Sequence, residues 1–252
     1  MSASAHTRGH VNSPEYTAAV LSWLERYKRR VINGSAALRL EISKVAQYMA
    51  LEQAGFIVPH TVAAYGRDQI IAAAGQFDGQ FITKHNRSGK GLGVRLFQSV
   101  SALREYVEST EYVPPVDGVL LLQEYIQSSE RYITRMEFVD GHFLYAVRVD
   151  TSAGFELCPA DSCALGDSCA LDGKSKFTIL NECCPDQERY EKLLKVHRVS
   201  VAGIEIIRDM QGRTYTYDIN INTNYNSAAE AKAGVSALSA LAAFLGRELD
   251  AI

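Results

Sequence analysis

Phe81-Ile-Thr-Lys-His-Asn-Arg-Ser-Gly-Lys-Gly-Leu-Gly-Val-Arg-Leu-Phe97 decides the reading of this chain. An apolar run carrying Lys84 enters a loop with Gly89, Gly91 and Gly93 and leaves as Val94-Arg-Leu-Phe97, which alternates like a strand. Glycines let backbone N–H groups approach a phosphate closely, and Lys84 and Lys90 add positive charge. A Walker loop or a dinucleotide fingerprint runs from strand into helix. This stretch runs from strand into strand, so it reads as a flap over a nucleotide or as a polar hairpin with no ligand.

Outward from the flap, Val119-Leu-Leu-Leu-Gln-Glu-Tyr-Ile126 is a near-continuous apolar strand, as expected of one buried on both faces. It ends in Gln123 and Glu124, a hinge beside a ligand or a plain strand end. Upstream, Ser13-Pro14 opens a helix, with serine as cap and proline in the first turn. Tyr16, Ala19, Val20, Trp23, Leu24 and Tyr27 form its apolar stripe. Asn33-Gly34 is a turn. A second helix is predicted from about Glu41 to Ala54, with Ile42, Val45, Ala46 and Met49 inward and Lys44 beside them; Gly55 and Pro59 follow it. A short strand is expected at 60–65, with helices at 67–74 and 100–108.

Downstream, Tyr132 to Val149 reads as a hairpin turning at Asp140-Gly141. A strict two-residue loop pairs Ile133 with Arg148 and Arg135 with Ala146. Arg135 and Arg148 then share a face as diagonal neighbours about 7–8 Å apart. Glu137 falls on that face too, so either an anion or an internal ion pair balances them. A polar loop covers roughly 151–185, and helices are expected at about 187–199 and 228–248.

Between these two helices, Gly203-Ile-Glu-Ile-Ile207 and Thr214-Tyr-Thr-Tyr-Asp-Ile-Asn220 form a second hairpin. Glu205 interrupts an apolar run, and Asp218 and Asn220 alternate with apolar residues. Two carboxylates and a carboxamide oxygen are hard donors suited to Mg²⁺, and they equally suit a solvated face. A four-residue loop, Asp209 to Gly212, would pair Arg208 with Arg213, Glu205 with Thr216 and Gly203 with Asp218. That register puts Glu205, Asp218 and Asn220 on one face. A loop longer or shorter by one residue would send Glu205 to the other.

Composition bounds the answer. The chain has 252 residues, enough for one large domain or two lobes. A net charge of −3 gives no basic footprint for nucleic acid. No apolar run is long enough to span a bilayer, and the polar segment Met1 to His10 lacks a signal-peptide core, so a cytoplasmic location without membrane partners is expected. The five cysteines, Cys158, Cys163, Cys169, Cys183 and Cys184, match no zinc spacing and read as reduced thiols in a loop, with a metal or redox pair as the alternative.

Taken in order over about residues 35–230, these pieces resemble the ATP-grasp superfamily, in particular its RimK-type α-L-glutamate ligase branch of carboxylate–amine ligases. Ser43-Lys44 and Gly55-Phe-Ile-Val-Pro59-His-Thr61 resemble the family's first lysine and the stretch that follows it. Lys84 falls at its second ATP-binding lysine, and Ser88-Gly-Lys-Gly-Leu-Gly-Val94 at its flap. The resemblance implies an α+β fold of two lobes with mainly antiparallel sheets and flanking helices, holding the nucleotide between them. The lobes would span 35–122 and 123–252, after an arm and helix at 1–34. It implies ATP contacts at Lys44, Lys84, Ser88, Gly89, Lys90 and Gly91, adenine on the hinge Gln123, Glu124, Tyr125 and Ile126, and ribose at Glu130. Glu205, Asp218 and Asn220 would hold Mg²⁺, or Mn²⁺ in its place. Arg148, with Arg135, would stabilise the acyl phosphate and the later oxyanion.

The implied reaction joins a small-molecule or peptide carboxylate to an amine acceptor, with homo-oligomers as a further expectation. The chain also departs from the pattern. The first helix begins at Ser13, so the N-terminal domain usual in these ligases is missing, supplied elsewhere or lost to an internal start. Tyr132 stands where an acid is usual, and Ile221-Asn-Thr-Asn-Tyr-Asn226 replaces a Ser-Pro-Gly type loop. A ligase, a nucleotide-binding module without chemistry, and an interaction protein all remain open from sequence.

Overall fold

The computed structural model describes residues 12–89, 93–128, 130–152, 176–180, 184 and 186–251. Lys90 and Gly91 of the flap, and all the cysteines except Cys184, lie outside the described residues. Two antiparallel sheets organise the rest. The first has the order β1-β4-β2-β3, built from β1 (Thr61–Tyr65), β2 (Phe81–His85), β3 (Arg95–Phe97) and β4 (Val119–Glu124). Helices α4 (Arg67–Ala74) and α5 (Val100–Glu108) cover it, and Ile70, Phe81, Phe97, Leu103, Leu120 and Leu122 form its core. β4 is buried on both faces as its composition predicts: Leu121, between Leu120 and Leu122, faces a second core. β2 and β3 pair as the strand–loop–strand reading requires.

The second sheet runs β7-β6-β5-β8-β9. Its strands are β5 (Tyr132–Val139), β6 (His142–Asp150), β7 (Phe177–Leu180), β8 (Val201–Arg208) and β9 (Thr214–Asn220). Its main core joins Met136, Phe138, Ile204 and Ile219 to Tyr190 and Leu194 of α6 (Gln187–Val196). Leu40 of α2 (Ser35–Glu41) and Tyr48 and Leu51 of α3 (Lys44–Gln53) complete it. The C-terminal helix expected as one piece is two, α7 (Ser227–Ala233) and α8 (Ala237–Asp250), bent by 94°. Gly234, at φ 70°, ends α7 in the left-handed region, and the Ser236 side chain caps α8. No single helix among the described residues is long and apolar enough to cross a membrane.

Three local readings need correction. α1 (Ser13–Arg26) forms with Pro14 in its first turn, but Asn12, not Ser13, is at the cap position. Its expected inner stripe also faces outward: Tyr16, Val20, Trp23 and Tyr27 are exposed, while Thr17, Ala18, Leu21 and Leu24 are half-buried. The helix expected at 41–54 is broken at Ser43, whose Oγ accepts the Ala46 N–H. The break turns the inner face to Lys44, Gln47, Tyr48 and Leu51, leaving Met49 exposed. Propensity cannot distinguish one helix from two when a capping serine sits in the middle.

β9 is an edge strand, and its backbone groups must be satisfied. Gln47 does so twice, accepting the Ile219 N–H and donating to the Ile219 carbonyl at 2.8 Å. Thr216 N–H donates to the Ile57 carbonyl, and Ile221 N–H donates to Glu41. The edge is thereby sealed by α2, α3 and the chain that follows. The same contacts bring Lys44, one helical turn before Gln47, against β9.

Candidate active site

The second hairpin differs from its expected register in two compensating ways. Its loop holds five residues, Asp209 to Arg213, because Arg208 pairs with Thr214. That change alone would place Glu205 opposite Tyr217 and send Asp218 to the other face. A bulge between Glu205 and Ile206 restores the parity, so Glu205 pairs with Asp218 and Gly203 with Asn220. Glu205, Asp218 and Asn220 therefore share a face, as the sequence reading expected, through pairings that it did not predict.

Two lysines meet these acids. Lys44 Nζ lies 2.6 Å from Asp218 Oδ1, with both side chains mostly buried. Lys84, buried at the end of β2, donates to Tyr48 Oη at 3.2 Å and stands 5.2 Å above the Tyr217 ring. Gln123 Nε2 donates to the same Tyr48 hydroxyl at 2.7 Å. Tyr48 and Tyr217 are two of the residues that sequence reasoning missed. Tyr48 sits one helical turn beyond Lys44, a spacing that could have flagged it.

The electrostatics follow from burial. Burial pushes the Lys84 ammonium down, against the pull of Asp218 and Glu205. Burial and the nearby Asp218 carboxylate raise Glu205 above the usual carboxylate range. Burial acts on Asp218 in the same sense, but Lys44 and Lys84 outweigh it and hold the group low. The Tyr217 hydroxyl is driven well up by burial beside Glu205. The face thus offers one stable carboxylate, one that a further cation would stabilise, and the carboxamide of Asn220.

No group of three or more His, Cys, Asp or Glu able to hold a metal occurs among the described residues. The donors here are two carboxylates and a carboxamide, which suit Mg²⁺ when phosphate oxygens complete its shell. Asn220 Nδ2 lies 3.4 Å from Glu205 Oε1, which leaves the Asn220 carbonyl oxygen free to turn toward a cation.

The base of the flap is anchored to α3. Asn86 Oδ1 accepts the Val45 N–H at 3.1 Å and the Ser43 hydroxyl, while its Nδ2 donates to Asp117. Asn86, another residue the sequence reading did not single out, thus couples the Lys84 strand to the Lys44 helix. Ser88 is buried and Gly89 half-buried beyond it. At the hinge, the N–H groups of Glu124 and Tyr125 donate to the carbonyls of His60 and Gln80. Glu124 Oε1 also accepts the His60 N–H. Ile126 N–H has no partner among the described residues. A pocket of about 370 Å³ opens beside Glu124, Tyr125 and Gln127.

The arginines separate. A register shift between Glu137 and Phe138 pairs Arg135 with Val147 and Thr134 with Arg148, so Arg135 and Arg148 point to opposite faces. The tight Asp140–Gly141 turn is as expected; the bulge supplies the one-residue offset. Arg135 lies opposite Glu205 in the β5–β8 register and forms the internal ion pair with buried Glu137, at 2.6 Å. Burial pushes the Glu137 carboxyl up against the pull of Arg135, and Thr223 donates to its other oxygen. Arg148 stacks 4.0 Å above the Tyr132 ring, with its buried Nε unpaired. Glu130 is exposed beside Tyr132.

No family profile matches the chain, and no curated protein sequence does. Solved structures do. The ATP-grasp ligase PsnB, complexed with a phosphomimetic variant of its minimal precursor, Mg and ADP, is 16% identical with a TM-score of 0.59 over 88% of this chain. This chain spans only 63% of that ligase's length. A RimK domain ATP-grasp protein from Sphaerobacter thermophilus is 16% identical, with a TM-score of 0.62 over 90% of this chain and 75% of its own. The D-cycloserine synthetase DcsG is 17% identical, with a TM-score of 0.62 over 90% of this chain and 77% of its own.

Proposed function

We propose that this chain, which has the ATP-grasp fold, is an ATP-dependent ligase that joins a carboxylate to an amine. The observation that carries the reading is the convergence of Lys44 and Lys84 on Glu205, Asp218 and Asn220. Two lysines on different elements and two carboxylates in direct register, one buried and one largely so, form a site for a polyphosphate together with its cation. The similarity of the fold to PsnB, whose complex contains Mg and ADP, supports the same assignment.

The proposed reaction has two steps. A substrate carboxylate oxygen attacks the γ-phosphorus of ATP, the bond to the bridging oxygen breaks, and ADP leaves. The amine then attacks the acyl phosphate, phosphate departs with the electron pair of its C–O bond, and the amine loses a proton. Positioning and charge neutralisation carry most of such a transfer. In this proposal Lys44 and Lys84 hold the α/β-phosphates, and Ser88, Gly89, Lys90 and Gly91 cover the β/γ-phosphates. The backbone of Gln123 to Ile126 takes the adenine, and Glu130 the ribose. Glu205, Asp218 and Asn220 would hold Mg²⁺, or Mn²⁺, which supplies charge neutralisation to the phosphates.

The register places Arg135 on the acid face, where its guanidinium can stabilise the oxyanion. Arg148 points to the opposite face, away from the acid cluster, so this proposal gives the acyl phosphate as well as the oxyanion to Arg135. A PsnB complex contains a precursor peptide, which supports a peptide as one substrate class here.

The test is ADP release by the purified chain with Mg-ATP, a panel of amino acids and acidic peptides as carboxylates, and an amine acceptor. Carboxylate-dependent ADP formation that vanishes in Asp218→Asn supports the ligase. A thermal shift with Mg-ATP but no ADP under any pairing would leave a nucleotide-binding module without chemistry.

A further inference from the structure

A groove of about 1110 Å³ opens well away from the acid–lysine cluster. Its walls are α6 and the residues after it on one side, and the α1–α2 connection with α2 on the other; the Asp140–Gly141 turn closes one end. Ser200, in its lining, precedes Glu205 by five residues, roughly 16 Å along an extended strand.

The groove is lopsided in charge. Arg29, Arg39, Lys192, Lys195 and Arg198 line it, all exposed, and none has an ion-pair partner among the described residues. Its acids are mostly engaged elsewhere. Glu25 accepts the Ser35 N–H at 2.8 Å and the Ser35 hydroxyl, Asp140 pairs with Arg247, and Glu191 accepts the Phe143 N–H. Arg30 is likewise taken, by Glu248. Hydrogen bonds from neutral donors leave Glu25 and Glu191 charged, so among the described residues three carboxylates, with Glu188, face five unpaired cations, a surplus of two positive charges. The neighbouring His197 imidazole is pushed down by burial and by Arg39, which agrees with a positive local field. Such a field in a walled groove concentrates anions.

The arrangement also restricts which anion fits. Lys192 and Lys195 lie about 4.5 Å apart along the axis of α6, and Arg29 and Arg39 face them from the other wall. Charges spread along two walls suit several separated anionic groups better than one phosphate. The volume exceeds the roughly 300–1,000 Å³ usual for a small-molecule pocket. Among the described residues no Phe, Tyr or Trp lines the groove, so they offer no platform for base stacking.

We propose that this groove binds an acidic peptide segment, one that presents several carboxylates to its two basic walls. The inference rests on the groove's shape and charge and is independent of the ligase reading.

The experiment is fluorescence anisotropy of the full chain with a labelled decapeptide of alternating glutamate and glycine. Saturable binding is expected, weakening steeply as salt rises. Lys192→Gln with Lys195→Gln on one wall, and Arg29→Gln with Arg39→Gln on the other, should each weaken it by about tenfold. Melting curves matching the parent protein show that each variant is folded. The proposal is overturned if no saturable binding occurs or if a glutamine–glycine decapeptide binds equally well. Affinity unchanged in both double variants would also overturn it, as would tighter binding of tripolyphosphate or an oligonucleotide than of the acidic peptide.

Discussion

Glu205 and Asp218 stand directly opposite each other across β8 and β9, a buried carboxylate facing a largely buried one in one register position. Among the described residues, only Asp218 has a lysine within ion-pair distance. Burial and the Asp218 carboxylate raise Glu205 despite Arg135 opposite it, so the electrostatic cost of the acid pair without ligand falls mainly on Glu205. A site built to receive a cation has this asymmetry.

Glu205→Gln should therefore raise the stability of the unliganded protein at pH 7. The sign follows from linkage: a carboxyl raised on folding stabilises the native state below its unfolded pKa and loses that contribution as pH rises through the folded value. The variant's advantage should shrink as pH falls toward about 4.3, the ordinary glutamate value. Urea melts at several pH values measure this; a variant less stable than the parent at pH 7 would contradict it.

Mg-ATP at one hundred times its dissociation constant should stabilise the parent protein by about 2.7 kcal/mol. Glu205→Gln and Asp218→Asn should abolish magnesium-dependent ATP turnover while keeping the parent's circular dichroism. Scanning calorimetry with and without Mg-ATP, paired with an ADP assay, gives both readouts. An undiminished turnover in either variant would remove the metal face from the mechanism.

Lys44→Met should act in the opposite direction on stability, because it strips the ion pair from the largely buried Asp218. Breaking a buried pair costs about 3–5 kcal/mol. Asp218 is held low in the folded state, so its contribution is present above its unfolded pKa, about 3.9, and is lost as pH falls. The gap between variant and parent should thus narrow in acid. A pH-independent gap would mean that the loss comes from packing of the lysine stem.

Tyr48→Phe removes one hydroxyl that accepts from both Lys84 and Gln123. Leaving buried donors unsatisfied costs about 1–3 kcal/mol each, so the variant should be visibly destabilised although it loses a single oxygen. Nucleotide affinity should fall with it, since Lys84 loses its support. Isothermal titration separates the two effects; unchanged stability would show that the donors find other partners.

The two arginines should behave differently. Arg135→Gln leaves Glu137 buried without its ion pair and should cost about 3–5 kcal/mol. Arg148→Gln loses a stacking contact on Tyr132, worth about 1 kcal/mol. Chemical denaturation of the pair tests this; equal losses would contradict the opposite-face assignment.

What depends on short-range periodicity was legible in the chain alone. The alternation around Lys84, the Asp140-Gly141 turn, the doubly buried Val119–Glu124 strand and the alternation of Asp218 with Asn220 are all encoded within a few residues. Each became the expected strand, turn or shared face because local backbone preference and side-chain period agree there. Tertiary structure decided the rest. Which face of α3 points inward followed from Gln47 sealing the β9 edge, a partner far away in sequence, and that docking buried Lys44. The bulge at Glu205 and the one after Glu137 were likewise set by packing across the whole five-stranded sheet. The first kept the acids together and the second parted the arginines. A bulge shifts register by one residue, and one residue changes the face. Its position is fixed by neighbouring strands, so no local pattern in the chain records it.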